Sequence, residues 1–217
     1  YDLAVHNYQT ARSLNRYEEK YSRAVKAIAQ ITTKEGDEEY RRQEFDSAIE
    51  TYKKAIIYYP EYTTAIYKLA RTYYKLEDFQ NAQIYLEQGI SVDPTQEKFE
   101  KMLGDVYRKR DAVEEAVAHY NQAISINSNF YQAFYSLGAL YLSEGQLHEA
   151  RDALTKSILI EPNYSKAYGT LGTIEQKLGN LEIAIENYSR AVEFDTKAYA
   201  IYYRLSSAYN INKQYKN

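Results

Sequence analysis

The 217-residue sequence predicts an all-α fold, a solenoid of stacked antiparallel helix pairs, and three observations carry this prediction. First, alanine recurs every 34 residues, together with an equally spaced series of small residues. Second, the apolar residues within each period follow the i, i+3, i+4 spacing that is typical of amphipathic helices. Third, all three prolines share one phase of the period, where each is expected to end a helix. Because one helix pair cannot bury both of its faces, the repeated pairs are expected to stack on one another.

Three residue series place the two helices of each pair. The alanines are Ala48, Ala82, Ala116, Ala150 and Ala184, and the small residues are Gly36, Ala70, Gly104, Gly138, Gly172 and Ser206. A bulky series, four residues after each alanine, is Tyr52, Leu86, Tyr120, Leu154 and Tyr188. Small residues at this spacing indicate where paired helices approach closely, since larger side chains would push the backbones apart. The break between the helices is predicted near Gly145 and Gly179, or at Glu77 and Asp78, and the second helix is predicted to stop before Pro60, Pro94 or Pro162.

The period divides the chain into five complete units, residues 29–198, followed by the first helix of a sixth, residues 199–217. The five units are 29–62, 63–96, 97–130, 131–164 and 165–198. Residues 1–28 are interpreted as an N-terminal helical extension or degenerate repeat. Within them Ala4, Tyr8 and Ala11 resemble a second helix, but Ala4 lies 44 residues before Ala48, ten more than one period. The unpaired last helix indicates a solenoid that is cut at this end, by evolution or by the boundary of the expressed piece.

These units resemble the tetratricopeptide repeat family, whose 34-residue unit carries a large residue, Leu, Gly or Ala, Tyr, Ala, an aromatic residue, Ala and Pro in fixed order. The second unit has Ile66, Leu69, Ala70, Tyr73, Ala82, Leu86, Gly89 and Pro94 at these positions. The fourth unit has Phe134, Leu137, Gly138, Tyr141, Ala150, Leu154 and Pro162. The first unit departs from the pattern at Glu35 and Glu39, and the third departs at Glu100. The resemblance implies a right-handed superhelix whose first helices line a concave, protein-binding groove.

Composition and motifs exclude several classes of function. The absence of Cys removes disulfides, thiolate zinc sites and cysteine nucleophiles, and His6, His119 and His148 have no metal-binding spacing. No apolar run approaches the roughly 18 residues of a membrane span, and no nucleotide-binding loop occurs. The net charge of −3 gives no general attraction to nucleic acid or to anionic membranes. We therefore expect no enzymatic activity, cofactor, metal or membrane insertion, in a soluble protein of the cytoplasm or of a bacterial periplasm.

The family resemblance implies that positions 2, 5, 9, 12 and 13 of each unit face the groove. In this sequence those positions hold nine basic residues and only two acidic ones, whereas the whole chain is acidic. The predicted partner-binding groove is Tyr40, Arg41, Tyr67, Arg71, Tyr74, Lys75, Lys98, Lys101, Arg108, Lys109, Tyr135, Lys166, Lys177 and Tyr203. Charge is concentrated in the second and third units, while the fourth is neutral and partly apolar at Tyr135, Ala139 and Leu142. This gradient predicts a protein or peptide segment with an acidic part and an apolar or aromatic part. In the alternative interpretation, Glu and Asp of adjacent helices neutralise these cations.

Three functions remain open at this point. The favoured one is a non-catalytic scaffold or adaptor that holds a segment of a partner protein while a larger complex assembles. An RNA-binding solenoid is the second, because tyrosines can stack on bases, although a pI near 5.8 and the lack of an RNA-reading code weigh against it. The third is a repeat arm of a larger enzyme.

Two further expectations concern particular partners. Co-chaperones of this family clamp the C-terminal carboxylate of a heat-shock protein, and the clamp positions here hold Thr33, Asp37, Lys68, Lys98 and Met102. Only Lys98 matches the clamp, and Asp37 would repel a carboxylate, so this function is rejected. At the other end of the chain, the unpaired last helix is expected to expose Tyr202, Leu205 and Tyr209 and to self-associate through that face.

Overall fold

A computed structural model of the chain describes His6 and residues 18–215. Residues 18–215 form eleven helices and no strand, which confirms the predicted all-α class. The helices are α1 (Glu18–Arg41), α2 (Phe45–Tyr58), α3 (Thr63–Lys75), α4 (Phe79–Val92), α5 (Glu97–Lys109), α6 (Val113–Ile126), α7 (Tyr131–Ser143), α8 (Leu147–Ile160), α9 (Ser165–Lys177), α10 (Leu181–Phe194) and α11 (Tyr199–Tyr215). Most of the predicted N-terminal extension lies outside the described residues. From Glu18 onward it is continuous with the first helix of the first unit.

The chain divides into two compact units, an N-terminal unit of residues 1–106 and a C-terminal unit of residues 107–217. In the N-terminal unit α1 packs on α2, α2 on α3 and α3 on α4, and α1 also contacts α3. In the C-terminal unit each helix from α6 to α11 packs on the next, and α7 also contacts α9. Within each unit, therefore, helix pairs are stacked so that the first helices of successive pairs lie side by side.

The small-residue series marks where helices of one pair approach closely, as predicted. A Cβ added to Gly36 would lie 2.7 Å from Cε1 of Tyr52, and a Cβ added to Gly172 would lie 2.7 Å from Cδ1 of Tyr188. Both tyrosines are fully buried. The five alanines of the 34-residue series are fully buried as well. Side-chain volume at these positions therefore sets the spacing of the two helices.

The turn inside each pair contains one residue in the left-handed region, always at the same phase of the period. The φ values are 64° at Gln43, 61° at Glu77, 57° at Asp111, 75° at Gly145 and 82° at Gly179. The predicted breaks at the two glycines and at Glu77 coincide with these turns. Only glycine adopts this conformation without a steric cost, so the three turns that lack glycine carry backbone strain.

The second helix of each pair ends at the same position of the 34-residue repeat, whether or not that repeat contains proline. α2, α4 and α8 end two residues before Pro60, Pro94 and Pro162. α6 and α10 end at the corresponding residues, followed by Asn127 and Asp195, each with φ −137°. The side chain of Asn127 accepts a hydrogen bond from the Asn129 N–H at 3.0 Å, and that of Asp195 accepts one from the Lys197 N–H at 2.9 Å. An Asx turn can thus stop the helix where proline is absent.

Candidate partner-binding surfaces

Eight of the predicted groove residues lie in the N-terminal unit, on α1, α3 and α5. They are Tyr40, Arg41, Tyr67, Arg71, Tyr74, Lys75, Lys98 and Lys101. The period places equivalent residues of α1 and α3 in register, and these two helices are in contact. Side chains from adjacent first helices can therefore meet across the surface.

Arg71 and Tyr40 make such a contact. The guanidinium carbon of Arg71 on α3 lies 4.8 Å from the centre of the Tyr40 ring on α1. The Tyr40 ring is itself held by Phe45, whose ring centre is 5.2 Å away in an edge-to-face arrangement. A guanidinium stacked on a ring keeps its planar N–H edge free for other acceptors, and Arg71 is solvent-exposed.

Lys98 occupies a similar position between α3 and α5. Its Nζ lies 5.1 Å from the centre of the Tyr67 ring and 5.5 Å from that of Phe99. The two rings meet edge-to-face with centres 5.4 Å apart. Burial lowers the pKa of Lys98 from its ordinary value, because the charged ammonium is partly desolvated. Burial also raises the pKa of the Tyr67 hydroxyl, with the nearby Asp105 carboxylate adding to the effect. We call Tyr40, Tyr67, Arg71 and Lys98 the ring–cation surface.

Two other predicted cations are neutralised by acids of their own helices. Nζ of Lys101 lies 2.7 Å from Oδ2 of Asp105, and the Arg41 guanidinium lies 4.0 Å from the Glu38 carboxylate. The alternative interpretation invoked acids of adjacent helices, whereas Lys101 and Arg41 lie next to acids of their own helices. Within the described part of the chain, Arg71 and Lys98 form no ion pair.

Lys68, which the groove prediction did not include, forms an ion pair with Asp37 across α1 and α3. The hydroxyl of Tyr52 donates to the other oxygen of this carboxylate at 2.8 Å. Burial and this hydrogen bond raise the pKa of Tyr52 above its ordinary value. The remaining two residues lie at the end of α3, where Tyr74 packs edge-to-face on Phe79 with ring centres 5.7 Å apart and Lys75 is exposed.

The C-terminal unit brings two predicted residues to one cavity. Tyr135 and Lys166 line a cavity of about 290 Å³, together with Leu142, Gly169, Thr173, Ile201 and Arg204 among others. The Tyr135 ring is held edge-to-face by Tyr164, with centres 5.2 Å apart. Tyr203, 79% exposed, instead lines a neighbouring cavity of about 450 Å³ with Gln176 and Arg204.

The other three predicted residues of this unit do not line either of these two cavities; they are Arg108, Lys109 and Lys177. Arg108 is half-buried, whereas Lys109 and Lys177 are exposed. Arg204 was missed by the sequence reasoning. It follows Tyr203 at a position not expected to face the groove, yet its Nη1 donates to Oγ1 of Thr173 at 3.2 Å. Its charge was the only signal in the sequence.

The repeats were compared with models of known families. A model described as TPR repeat matches residues 36–77 and 104–145, and one described as tetratricopeptide repeat matches residues 63–96, 131–164 and 165–197. The chain belongs to the tetratricopeptide repeat family. TPR units are generally non-catalytic protein-interaction modules, so the coarse function predicted from the sequence, a protein-interaction scaffold, is confirmed.

Solved TPR structures share this fold. The crystal structure of MamA is 28% identical, with a TM-score of 0.63 over 75% of this chain and 95% of that chain. YrrB, described as a TPR protein with an unusual peptide-binding site, is 21% identical, with a TM-score of 0.58 over 80% of this chain and 89% of that one. PilF of Pseudomonas aeruginosa is 15% identical, with a TM-score of 0.75 over 88% of both chains. A comparison with curated proteins found no match. The predicted TPR solenoid class is thereby confirmed.

The described residues of this TPR chain contain no group of three or more His, Asp or Glu residues that could hold a metal ion. None of their helices has the length and apolar character needed to cross a membrane.

The positions of the TPR co-chaperone clamp are occupied by side chains with other contacts. The hydroxyl of Thr33 donates to the Ala29 carbonyl at 2.7 Å, and Met102 is buried. The carboxylate of Asp37 is already bound by Lys68 and Tyr52. These contacts support the rejection of the clamp.

Proposed function

We propose that this TPR chain is a non-catalytic adaptor whose ring–cation surface holds an extended acidic segment of a partner protein during assembly of a larger complex. The observation that carries the proposal is that Arg71 and Lys98 lie over tyrosine rings instead of pairing with acids. A cation held on a ring is positioned by the ring but keeps its charge, so a carboxylate of the partner can bind it.

The same geometry favours an acidic peptide over RNA. Non-specific single-strand binding needs open aromatic faces on which bases can stack. Arg71 lies over the Tyr40 ring, and Lys98 lies over the Tyr67 ring. A base would have to displace a cation from each ring before it could stack, whereas a carboxylate binds the cations where they lie.

In the C-terminal unit, we place a second contact surface at the cavity lined by Tyr135, Leu142 and Ile201. Beside these residues the lining contains the basic Lys166 and Arg204, which outnumber the one acidic lining residue, Asp195. The cavity of about 290 Å³ is at the small end of ligand pockets, so it suits one apolar side chain next to an acidic one.

The ring–cation surface is tested with an array of peptides in which acidic and aromatic residues are permuted. For the best-binding peptide, Arg71→Glu should slow association by about tenfold at low salt and flatten its salt dependence, because electrostatic attraction mainly raises the association rate. Tyr40→Leu removes the ring under Arg71 but keeps apolar volume, and it should shorten the lifetime of the complex. Lys54→Glu, an equal charge change at an exposed position of α2, is the matched control.

The proposal fails if Arg71→Glu and Lys54→Glu bind the peptide alike. Oligouridylate is measured beside the peptide. If it binds more tightly and loses affinity with Tyr40→Leu, the surface is an RNA site instead.

We also propose that the exposed face of α11 binds a second copy of the chain. Tyr202 and Tyr209 are 42% and 53% exposed on this face. The expected exposure of Leu205 was wrong, because Leu205 is half-buried against Ala184 and Tyr188 of α10. Exposed tyrosines on an uncovered helix face favour association with another apolar surface. A sedimentation coefficient that rises with protein concentration would support this, and monomer behaviour at every concentration would contradict it.

A further inference from the structure

We infer that the cavity lined by Tyr135, Gly169 and Ile201 in the C-terminal unit binds an aromatic side chain of the partner, with a glutamate or aspartate beside it. This inference rests on the second contact surface proposed above. It adds which side chain enters the cavity and which residue of this chain selects that side chain. We call this space of about 290 Å³ the Gly169 cavity.

Gly169 is the only residue of its series that has no side chain. The residues at the fifth position of the successive repeat units are Thr33, Tyr67, Lys101, Tyr135, Gly169 and Tyr203. Gly169 lies inside α9 with an ordinary helical backbone. Glycine in the middle of a helix is less stable than alanine, so the backbone gives no reason for it here. What distinguishes Gly169 is therefore the space that it leaves.

The N-terminal unit shows which group is missing at Gly169. Tyr67 and Phe99 are equivalent to Gly169 and Ile201, and their rings meet edge-to-face with centres 5.4 Å apart. A Cβ built on Gly169 would lie 2.7 Å from Cδ1 of Ile201, so the two positions are neighbours in the C-terminal unit as well. A ring of the partner in the Gly169 cavity would thus take the place that the Tyr67 ring has in the N-terminal unit.

Tyr135 gives the Gly169 cavity an aromatic wall. The ring of Tyr135 is held by that of Tyr164, with centres 5.2 Å apart, and Leu142 and Ile201 add aliphatic surface to the lining. Two aromatic rings attract each other more strongly than their buried area alone explains. A wall of this kind therefore favours an aromatic side chain over an aliphatic one.

Arg204 provides the charge that an acidic neighbour of the ring would bind. In the N-terminal unit, Lys68 forms an ion pair with Asp37. The equivalent residues of the C-terminal unit are Arg204 and Thr173, and Nη1 of Arg204 donates to Oγ1 of Thr173 at 3.2 Å. Because a hydroxyl carries no charge, the guanidinium has no carboxylate at this contact and can bind one from the partner. Arg204 and Gly169 line the same cavity, so the acidic residue is expected next to the aromatic one.

The test compares peptides that differ at one residue. Fluorescein-labelled peptides of acidic composition carry Phe, Leu or Ala beside one glutamate, and fluorescence anisotropy gives their dissociation constants for the parent chain. The Phe peptide should bind about fivefold more tightly than the Leu peptide and more than about tenfold more tightly than the Ala peptide.

A filled variant places a ring of the chain itself in the cavity. Gly169→Tyr is combined with Ile201→Ala, which reproduces Tyr135 and Ala167, the equivalent residues one unit earlier. In this variant the Phe and Ala peptides should bind within about twofold of each other, because the site is already occupied. Thr155→Tyr adds a ring at an exposed position of α8 and is the matched control, which should keep the preference of the parent. Circular dichroism checks that both variants stay helical.

Arg204→Gln tests the acidic neighbour. Replacing the glutamate of the Phe peptide with glutamine should weaken its binding to the parent by about tenfold, and its binding to Arg204→Gln by less than about twofold. Equal losses in the two proteins would show that Arg204 does not bind this glutamate and would overturn the acidic part of the inference.

The outcomes separate this inference from the proposed function. If none of the acidic peptides binds the parent chain, both fail. If they bind but the Phe and Leu peptides bind alike, or if the preference for Phe survives in the filled variant, the adaptor function stands and the aromatic anchor is wrong. If the filled variant does not fold, the comparison of the three peptides on the parent still decides between a ring and an aliphatic side chain.

Discussion

Replacing Gly172 with alanine tests whether tyrosine and glycine are matched across a helix pair. The added Cβ would lie 2.7 Å from Cδ1 and Cε1 of Tyr188 and 3.1 Å from the Ala184 carbonyl oxygen. Ordinary carbon contacts are about 3.5–4.0 Å, so the ring must move by close to 1 Å or the helices must separate. Overpacking of this kind costs about 1–3 kcal/mol, while alanine gains about 1 kcal/mol over glycine in helix propensity. We expect a net loss of about 1 kcal/mol in the free energy of unfolding.

The matching is isolated by a double-mutant cycle with Tyr188→Leu. The second repeat carries Ala70 and Leu86 at these two positions, and both are fully buried, so alanine and leucine fit together within this fold. Tyr188→Leu alone loses the hydrogen bond that the tyrosine hydroxyl donates to Oε1 of Gln176 at 2.9 Å. In its presence Gly172→Ala should no longer be destabilising. The coupling energy should be about 1–3 kcal/mol in favour of the double variant.

Urea denaturation followed by circular dichroism measures the four free energies of unfolding. Gly138→Ala is the matched control. Its Cβ would lie 2.8 Å from Cγ of Leu154 and 3.1 Å from the Ala150 carbonyl oxygen, but Ala70 and Leu86 already pack at the equivalent positions, so stability should change by less than about 0.5 kcal/mol. Additivity of Gly172→Ala and Tyr188→Leu within about 0.5 kcal/mol would refute the matching of ring and glycine.

Two further predictions concern the strain in the turns and the loss of folding stability at alkaline pH. Gly145→Ala should lower the free energy of unfolding, measured by urea denaturation, by about 1 kcal/mol, because the φ of Gly145 is 75°. Glu77→Gly should raise it by about 0.5 kcal/mol, because Glu77 has a φ of 61° and glycine adopts this conformation without strain. Changes of the same sign in the two variants would contradict the strain assigned to this turn. Burial and the Asp37 hydrogen bond raise the pKa of Tyr52, so the unfolded chain loses the tyrosine proton first and stability falls as pH rises above about 10. Tyr52→Phe should lower the free energy of unfolding by about 1 kcal/mol at neutral pH, and the stability of the variant should fall less steeply as the pH rises. The measurement is the urea midpoint of unfolding at a series of alkaline pH values. The same slope of midpoint against pH in the variant and the parent would contradict this role of Tyr52.

The sequence predicted the repeat architecture well because helix pairing depends on local features. Spacing of apolar residues determines which face of a helix is buried, and residue volume determines how closely two helices approach. Gly172 could therefore be assigned to a helix contact without coordinates. The end of α6 at Ile126 shows the limit of this reasoning, because the sequence predicted helix ends from proline and α6 is followed by an Asx turn at Asn127.

The candidate surface was less predictable from the sequence. Arg71 and Lys101 have the same charge and both occupy positions expected to face the groove, yet Arg71 lies over Tyr40 whereas Lys101 is bound to Asp105. Arg204, which was not predicted, lines the same cavity as Tyr135. The sequence pattern could not separate these cases, because it assigns a face to each residue but no partner.

The sequence by itself determined the helices, their pairing and the family, since each rests on periodicity and volume that recur every 34 residues. Only the tertiary structure decided which cations are neutralised and which lie over rings. The physical reason is that several rotamers are accessible to a long side chain on a helix surface. The choice depends on the residue that an adjacent helix presents, such as Tyr40 on α1 for Arg71 on α3.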